Sequence, residues 1–261
     1  MGSDAVTDAE LLAGLPGLAF AFALVLCRTG VVVMLVPGLG EVEAPATIRA
    51  GLALAMSLAL LPGVAPLVSA PPAGWGAAGM VVAELLAGGV LGWLARLPAL
   101  ALSMAGAVIS TMTGLTSVLQ PDPALGGQSA ALARLFGLLA PVLVLSSGLY
   151  ALPLSALAGS YQVVPPGALM QAGPVMDLVQ TAVGASFGLA IRLSAPFLLA
   201  GLVVQGGVGL LSRLVPQLQV YALAAPGQIL GGLTLLGVLA AALLAAWSET
   251  LTDSWSHLPG L

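Results

Sequence analysis

GLLSRLVPQLQVYALAAPGQILGG, residues 209–232, places a polar, proline-bounded turn inside the apolar second half of this chain. An apolar run stops at Ser212 and Arg213, crosses Pro216, Gln217 and Gln219, and resumes beyond Pro226 and Gly227. Proline lacks an amide N–H and clashes with the turn before it, so Pro216 and Pro226 predict a break instead of one continuous helix. Arg213 and the glutamines carry polar groups that lipid cannot satisfy, so they face protein, headgroups or water. Arg213 and Gln217 are expected to hold the Pro216 turn by hydrogen bonds to backbone carbonyls or to partner subunits. From these residues alone, the stretch is a hairpin between two membrane helices.

The rest of the chain supports a membrane setting. Its 261 residues are 59% hydrophobic and 6% charged, against about 25% charged in an average soluble domain. Six basic and ten acidic side chains cannot clothe a soluble surface of this length. The chain is either an integral membrane protein or a subunit buried in an assembly. All six basic residues are arginines and the net charge is −4, so there is no basic patch and nucleic-acid binding is excluded. Cys27 is alone, which precludes an intrachain disulfide or a cysteine-based zinc site. Asp4, Asp8 and Glu10 precede the first apolar run, where a secretory signal wants positive charge. The first helix is therefore expected to stay with the mature protein.

Six apolar runs follow one another: 11–36, 51–68, 75–102, 135–157, 175–211 and 229–247. Arg28 interrupts the first, and a central arginine costs about 2.5–3.5 kcal/mol on insertion scales, so it should face protein or snorkel to an interface. The third holds Glu84, with Gly88 and Gly92 in a spacing that lets a second helix approach closely. Glu84 reads either as a proton carrier or as a hydrogen-bonded packing carboxylate. Ser103 to Gln128 is rich in hydroxyls and small residues, too polar to predict a spanning helix, and Pro121, Asp122 and Pro123 break it. At ~37 residues the fifth run exceeds the ~20 that one span needs, and Pro196 with Gly206 and Gly207 predicts a kink or a bend into two helices. No strand alternation persists and no fixed-period repeat is visible. The expected fold is all-α, with about six hydrophobic helical segments, some broken or kinked. It forms a single helical domain over 1–261 with short polar tails at 1–10 and 248–261.

Several patches resemble one family. GLLSRLVPQL, with Tyr221 and Pro226 after it, is similar to the C-terminal signature of the FliR/SctT family of type III secretion export-gate proteins: Gly-Leu-Leu-x-Arg-x-x-Pro-Gln-Leu, an aromatic, then a second proline. ELLAGGVLGW, residues 84–93, is similar to the family's Glu-x-x-x-Gly-x-x-x-Gly-aromatic segment. Ala105-Gly106, Gly114-Leu115, Asp122-Pro123 and Leu132-Ala133-Arg134 follow the family's order without a gap. The loop from Pro37 to Arg49 is also similar, with fewer basic residues than the family often has there.

The resemblance implies a non-enzymatic conduit subunit of the flagellar export gate, in the bacterial inner membrane at the flagellar basal body, without cofactor. Its partners would be FliP- and FliQ-like subunits, FlhB- and FlhA-like export proteins, membrane lipid, and the unfolded protein substrates that pass through. It also implies that Met112, Thr113, Gly114, Leu115, Thr116, Ser117 and Val118 form a plug in the channel; a re-entrant connection that fills space is the other reading of that segment. Arg213, Pro216, Gln217, Pro226, Glu84, Gly88, Gly92, Asp122 and Pro123 are the expected assembly and structural positions.

Catalytic chemistry finds little footing. Gly184-Ala-Ser186-Phe-Gly188 matches the G-x-S-x-G pattern of serine hydrolases, yet it lies in a helical apolar run where the two glycines read as a packing face. The one histidine, His257, lies in the C-terminal tail. No catalytic residue and no metal site is expected. The competing reading is a small-molecule secondary transporter, with Arg28, Glu84 and Arg192 lining a substrate site. Against it, the broken helices do not occupy matching positions in two halves. Arg49, Arg96, Arg134 and Arg213 count to one side of six spans, which places both termini outside the cytoplasm. Tyr221 and Trp247 fit interfacial anchors; Trp75 and Trp93 fit either anchors or packing.

Overall fold

The computed structural model describes residues 2–68, 75–115, 131–214 and 220–261, with side chains left out at 2–13, 221 and 222. Seven α-helices occupy the described residues: α1 Gly2–Leu35, α2 Ala46–Val64, α3 Trp75–Met112, α4 Ala131–Ser147, α5 Ala151–Val163, α6 Ala172–Leu214 and α7 Val220–Ser256. A short 3-10 turn, Ala65–Leu67, extends α2. Among these residues there is no strand. Five helices are long and apolar enough to cross a membrane, and the α4–α5 pair, bent by 76°, supplies a sixth candidate. The fold is all-α and of membrane type.

The chain divides into two compact units. The first comprises Met1–Arg96, Val144–Gln180 and Trp255–Leu261, and the second Leu97–Leu143 and Thr181–Ser254. In the first, Leu24, Val25, Val32 and Val33 of α1 are fully buried, together with Ala95 of α3, Leu157 of α5 and Trp255 at the end of α7. In the second, Ala101, Leu102, Ala105 and Ile109 form one buried stripe of α3, and Leu189, Leu193 and Phe197 form another on α6. Both stripes recur at helical spacing, the signature of a face turned toward protein.

Several sequence expectations need correction. α3 does not stop near Leu102 but runs through the hydroxyl-rich stretch to Met112. Two of those hydroxyls bond back to the helix itself: Ser103 Oγ donates to the Leu100 carbonyl and Thr111 Oγ1 to that of Ala107. The fourth run is broken: Gly148, at φ +76°, takes a left-handed conformation that a side chain would strain, and the chain turns from α4 into α5 there. The fifth run is one continuous helix through Pro196, not two.

Pro226 does not break the last helix either, since α7 begins at Val220 and carries it. The last helix continues into the polar segment 248–261. α7 reaches Ser256, and Leu251, Trp255 and Leu258 are buried. Trp247 is fully buried in place of anchoring at an interface, its indole N–H donating to the Pro98 carbonyl at 3.0 Å. Trp255 makes the same kind of bond to the Ala95 carbonyl at 2.9 Å.

Candidate functional site

Two polar constellations stand out against this apolar background, one in each unit. The first is built on Arg28 of α1 and Glu84 of α3, both fully buried. Arg28 Nε donates to Glu84 Oε2 at 2.8 Å and Nη2 to Oε1 at 3.0 Å, so the fork of the guanidinium grips both carboxylate oxygens. Its remaining nitrogen, Nη1, donates to Ser160 Oγ at 3.2 Å and to the Val164 carbonyl at 3.0 Å. The guanidinium carbon lies 4.2 Å from the centre of the Tyr161 ring, a cation–π contact. The backbone N–H of Gly167 completes the carboxylate's shell at 2.7 Å from Glu84 Oε1. One ion pair thus ties α1, α3, α5 and the α5–α6 connection together.

The helices can come this close because of glycine. A Cβ on Gly88 would lie 2.5 Å from the Arg28 carbonyl oxygen, and one on Gly92 would lie 2.8 Å from Leu35 Cβ. α1 therefore packs on the glycine face of α3, one turn beyond Glu84. A second arginine ties the far end of α1: Arg96 Nη1 donates to the Leu35 carbonyl at 3.1 Å, and Nη2 pairs with Glu41 at 3.4 Å. Arg96 therefore belongs to the interior of α3 and not to a connection, which removes it from the arginines that bear on topology. A cavity of about 370 Å³ adjoins Arg28, lined mainly by apolar side chains including Val90, Leu91, Val163, Leu169 and Leu178. The arginine has its acceptors already, so the cavity offers no free charge to a polar guest.

The second constellation lies where α3 ends. Gly114, at φ +77°, turns the chain out of the helix. Gln228 of α7 donates its amide to the Met112 carbonyl at 2.8 Å, satisfying one of the acceptors that a helix end leaves open. The Thr113 side chain rests on Gly232, and Met112 Sδ lies 3.0 Å from where a Cβ of Gly201 would stand. Thr113 Oγ1 donates back to the Ile109 carbonyl at 2.9 Å. A cavity of about 630 Å³ opens beside this point, bordered by Met112, Thr113, Phe197, Gly201, Gln228 and Gly232 among others.

The expected site residues are thus distributed unevenly. Glu84, Gly88 and Gly92 meet in the first constellation; Met112, Thr113 and Gly114 meet in the second, with Leu115 following. Arg213 is exposed in the last turn of α6, and Pro226 is exposed on α7. Thr116, Ser117, Val118, Asp122, Pro123, Pro216 and Gln217 lie outside the described residues. Ser186 is held in a continuous helix with its Oγ on the Ala182 carbonyl, so the strand-turn-helix elbow of a serine nucleophile is absent there. Sequence reasoning missed Ser160, Tyr161, Gly167 and Gln228. Gln228 had a readable signal, an amide inside an apolar run; the others lie up to 139 positions from Arg28 with no local cue.

Comparison with known proteins joins these features to one family. The family model for bacterial export proteins, family 1, matches residues 19–254. The chain is 34% identical over 234 residues to the flagellar biosynthetic protein FliR of Caulobacter vibrioides, covering 88% of this chain and 92% of that one. It is 26% identical over 214 residues to FliR of Escherichia coli, 82% of each chain. It is 28% identical over 149 residues to the secretion system apparatus protein SsaT of Salmonella typhimurium, covering 57% and 58%. A match across nearly the whole of an all-α membrane chain leaves no second assignment to weigh: the chain belongs to the bacterial export proteins of family 1, the family of FliR and its type III secretion counterparts.

Proposed function

We propose that this chain is a structural conduit subunit of the flagellar type III export gate, without catalytic activity, in the bacterial inner membrane at the basal body. It assembles with FliP- and FliQ-like subunits into the channel for unfolded substrates, and works beside FlhB- and FlhA-like proteins. The observation that carries the reading is the end-to-end match to a flagellar FliR, which reaches 92% of that protein, whereas the match to SsaT reaches 58%. The uncovered apolar surface supports it: only 6% of the most apolar window of α7 is buried and 17% of that of α2. Such surface needs lipid or neighbouring subunits.

In this reading Met112 to Val118 form the channel plug, with Gln228 steadying Met112 at the end of α3. Asp122 and Pro123 close that segment. Arg213, Pro216, Gln217 and Pro226 serve assembly. Deleting the gene and following secreted flagellar protein in the medium tests the function. Export should stop and return with the wild-type gene; continued export without the gene refutes the reading. Complexes that lack Gly114 to Val118 should assemble yet conduct ions across membranes. Assembled complexes as tight as the intact ones would show that this segment is not the plug.

The transporter reading loses its main support. Arg28 and Glu84 are consumed by each other and by backbone groups, so they line no polar substrate site.

A further inference from the structure

We propose that Arg192 marks an interface between subunits: the exposed face of α6 around it receives a helix of another membrane subunit, which presents a carboxylate to the guanidinium. This rests on the export-gate reading for the identity of the neighbour as a gate subunit.

Arg192 stands near the middle of α6 (Ala172–Leu214), with roughly 30 Å of helix on either side of it. It is exposed, and among the described residues it has neither an ion-pair nor a hydrogen-bond partner. Its surroundings are apolar in both directions. Ala185 precedes it on its own face and Leu199 and Val203 follow it there, with Ile191 and Leu202 at the border, all exposed. One turn before it stands Gly188, and two turns before it Gly184. A Cβ on either glycine would meet nothing within 4 Å. The backbone of a second helix can therefore come close beside the arginine.

Three surroundings could receive such a face, and two fit poorly. A lipid phosphate would hold Arg192 at headgroup level, and then one of the two apolar flanks would stand in water. An aqueous lumen would wet both flanks. A protein helix covers both flanks at once and can carry an acceptor. A guanidinium fork in an apolar setting is best matched by a carboxylate, which takes two parallel hydrogen bonds and cancels the charge.

The test uses the tagged gate complex purified from native membranes. Replacing Arg192→Leu or Arg192→Glu should lower the recovered partner subunits about tenfold or more, whereas Arg192→Lys should retain most of them. Suppressors of Arg192→Glu selected for restored export should include acid-to-base changes in a partner subunit. Partner recovery at the wild-type level from Arg192→Leu overturns the proposal, and so do suppressors confined to this chain. A photo-crosslinking residue at Ile191 leaves the arginine in place and does not depend on tolerance of its loss. An adduct with another membrane subunit supports the interface, and adducts with lipid alone overturn it. If the wild-type chain carries no FliP- or FliQ-like partners while Ile191 still crosslinks to a membrane protein, the export-gate reading fails and the interface stands.

Discussion

Arg28 and Glu84 show what a charged pair does in this setting. Burying either one alone would be prohibitive, and burying them together is tolerable only because every guanidinium nitrogen and both carboxylate oxygens find partners. Removing one member should therefore be worse than removing both. Glu84→Gln keeps an acceptor for the Gly167 N–H but strands the arginine charge. It should lower stability by about 3–5 kcal/mol, the usual effect of breaking one side of a buried pair. The amount of folded chain in membranes and its thermal stability in detergent would show this. The double change Arg28→Met with Glu84→Leu should recover most of the loss. It also decides between the two sequence readings of Glu84. Restored assembly with restored export makes it a packing carboxylate, whereas restored assembly without export makes it a proton carrier.

At the scale of elements, the contact between α1 and α3 depends on Gly88 more than on any apolar side chain. Gly88→Leu would place a branched side chain against the Arg28 backbone, where even a Cβ lies 2.5 Å from the carbonyl oxygen. Overpacking of this kind typically costs about 1–3 kcal/mol, and here it also pries at the ion pair. The variant should be recovered in reduced amount, while leucine at the open Gly89 is tolerated; equal recovery of the two would contradict this packing. The helices themselves were legible in the sequence, because long apolar runs without alternation leave few other folds. Their ends were less so. Hydroxyls that bond to their own helix, as at Ser103 and Thr111, look polar in a sequence and cost the helix little. Prolines 196 and 226 looked like breaks because proline lacks an N–H and clashes with the turn before it, but only one helix bond is lost, and whether that is tolerated depends on neighbours a sequence does not display.

The candidate site was legible only in pieces. Arg28 and Glu84 were each readable as intramembrane charges, but nothing local says that they pair across 56 positions, or that Gly167 joins them. The Gly88 and Gly92 spacing suggested a close helix without naming which one. Family resemblance pointed to the end of α3, whereas its contact with Gln228 came from the structure alone.

For the whole molecule, the question is what covers the apolar surface that the two units leave open. Orientation is one constraint. With Arg96 taken up inside the protein, Arg49, Arg134 and Arg213 are left to set it, and the positive-inside rule predicts that both termini face away from the cytoplasm. A reporter at the C-terminus active only in the cytoplasm would reverse this. Composition is the other constraint. Only 6% of the most apolar window of α7 is buried, and Arg192 on α6 lacks a partner among the described residues. Both features describe a subunit made to be surrounded. The most direct measurement is affinity purification of the tagged chain from native membranes in mild detergent, with mass spectrometry of what comes with it. The account predicts a stable complex containing FliP- and FliQ-like subunits. A chain that purifies alone, or only with copies of itself, while remaining folded would contradict it.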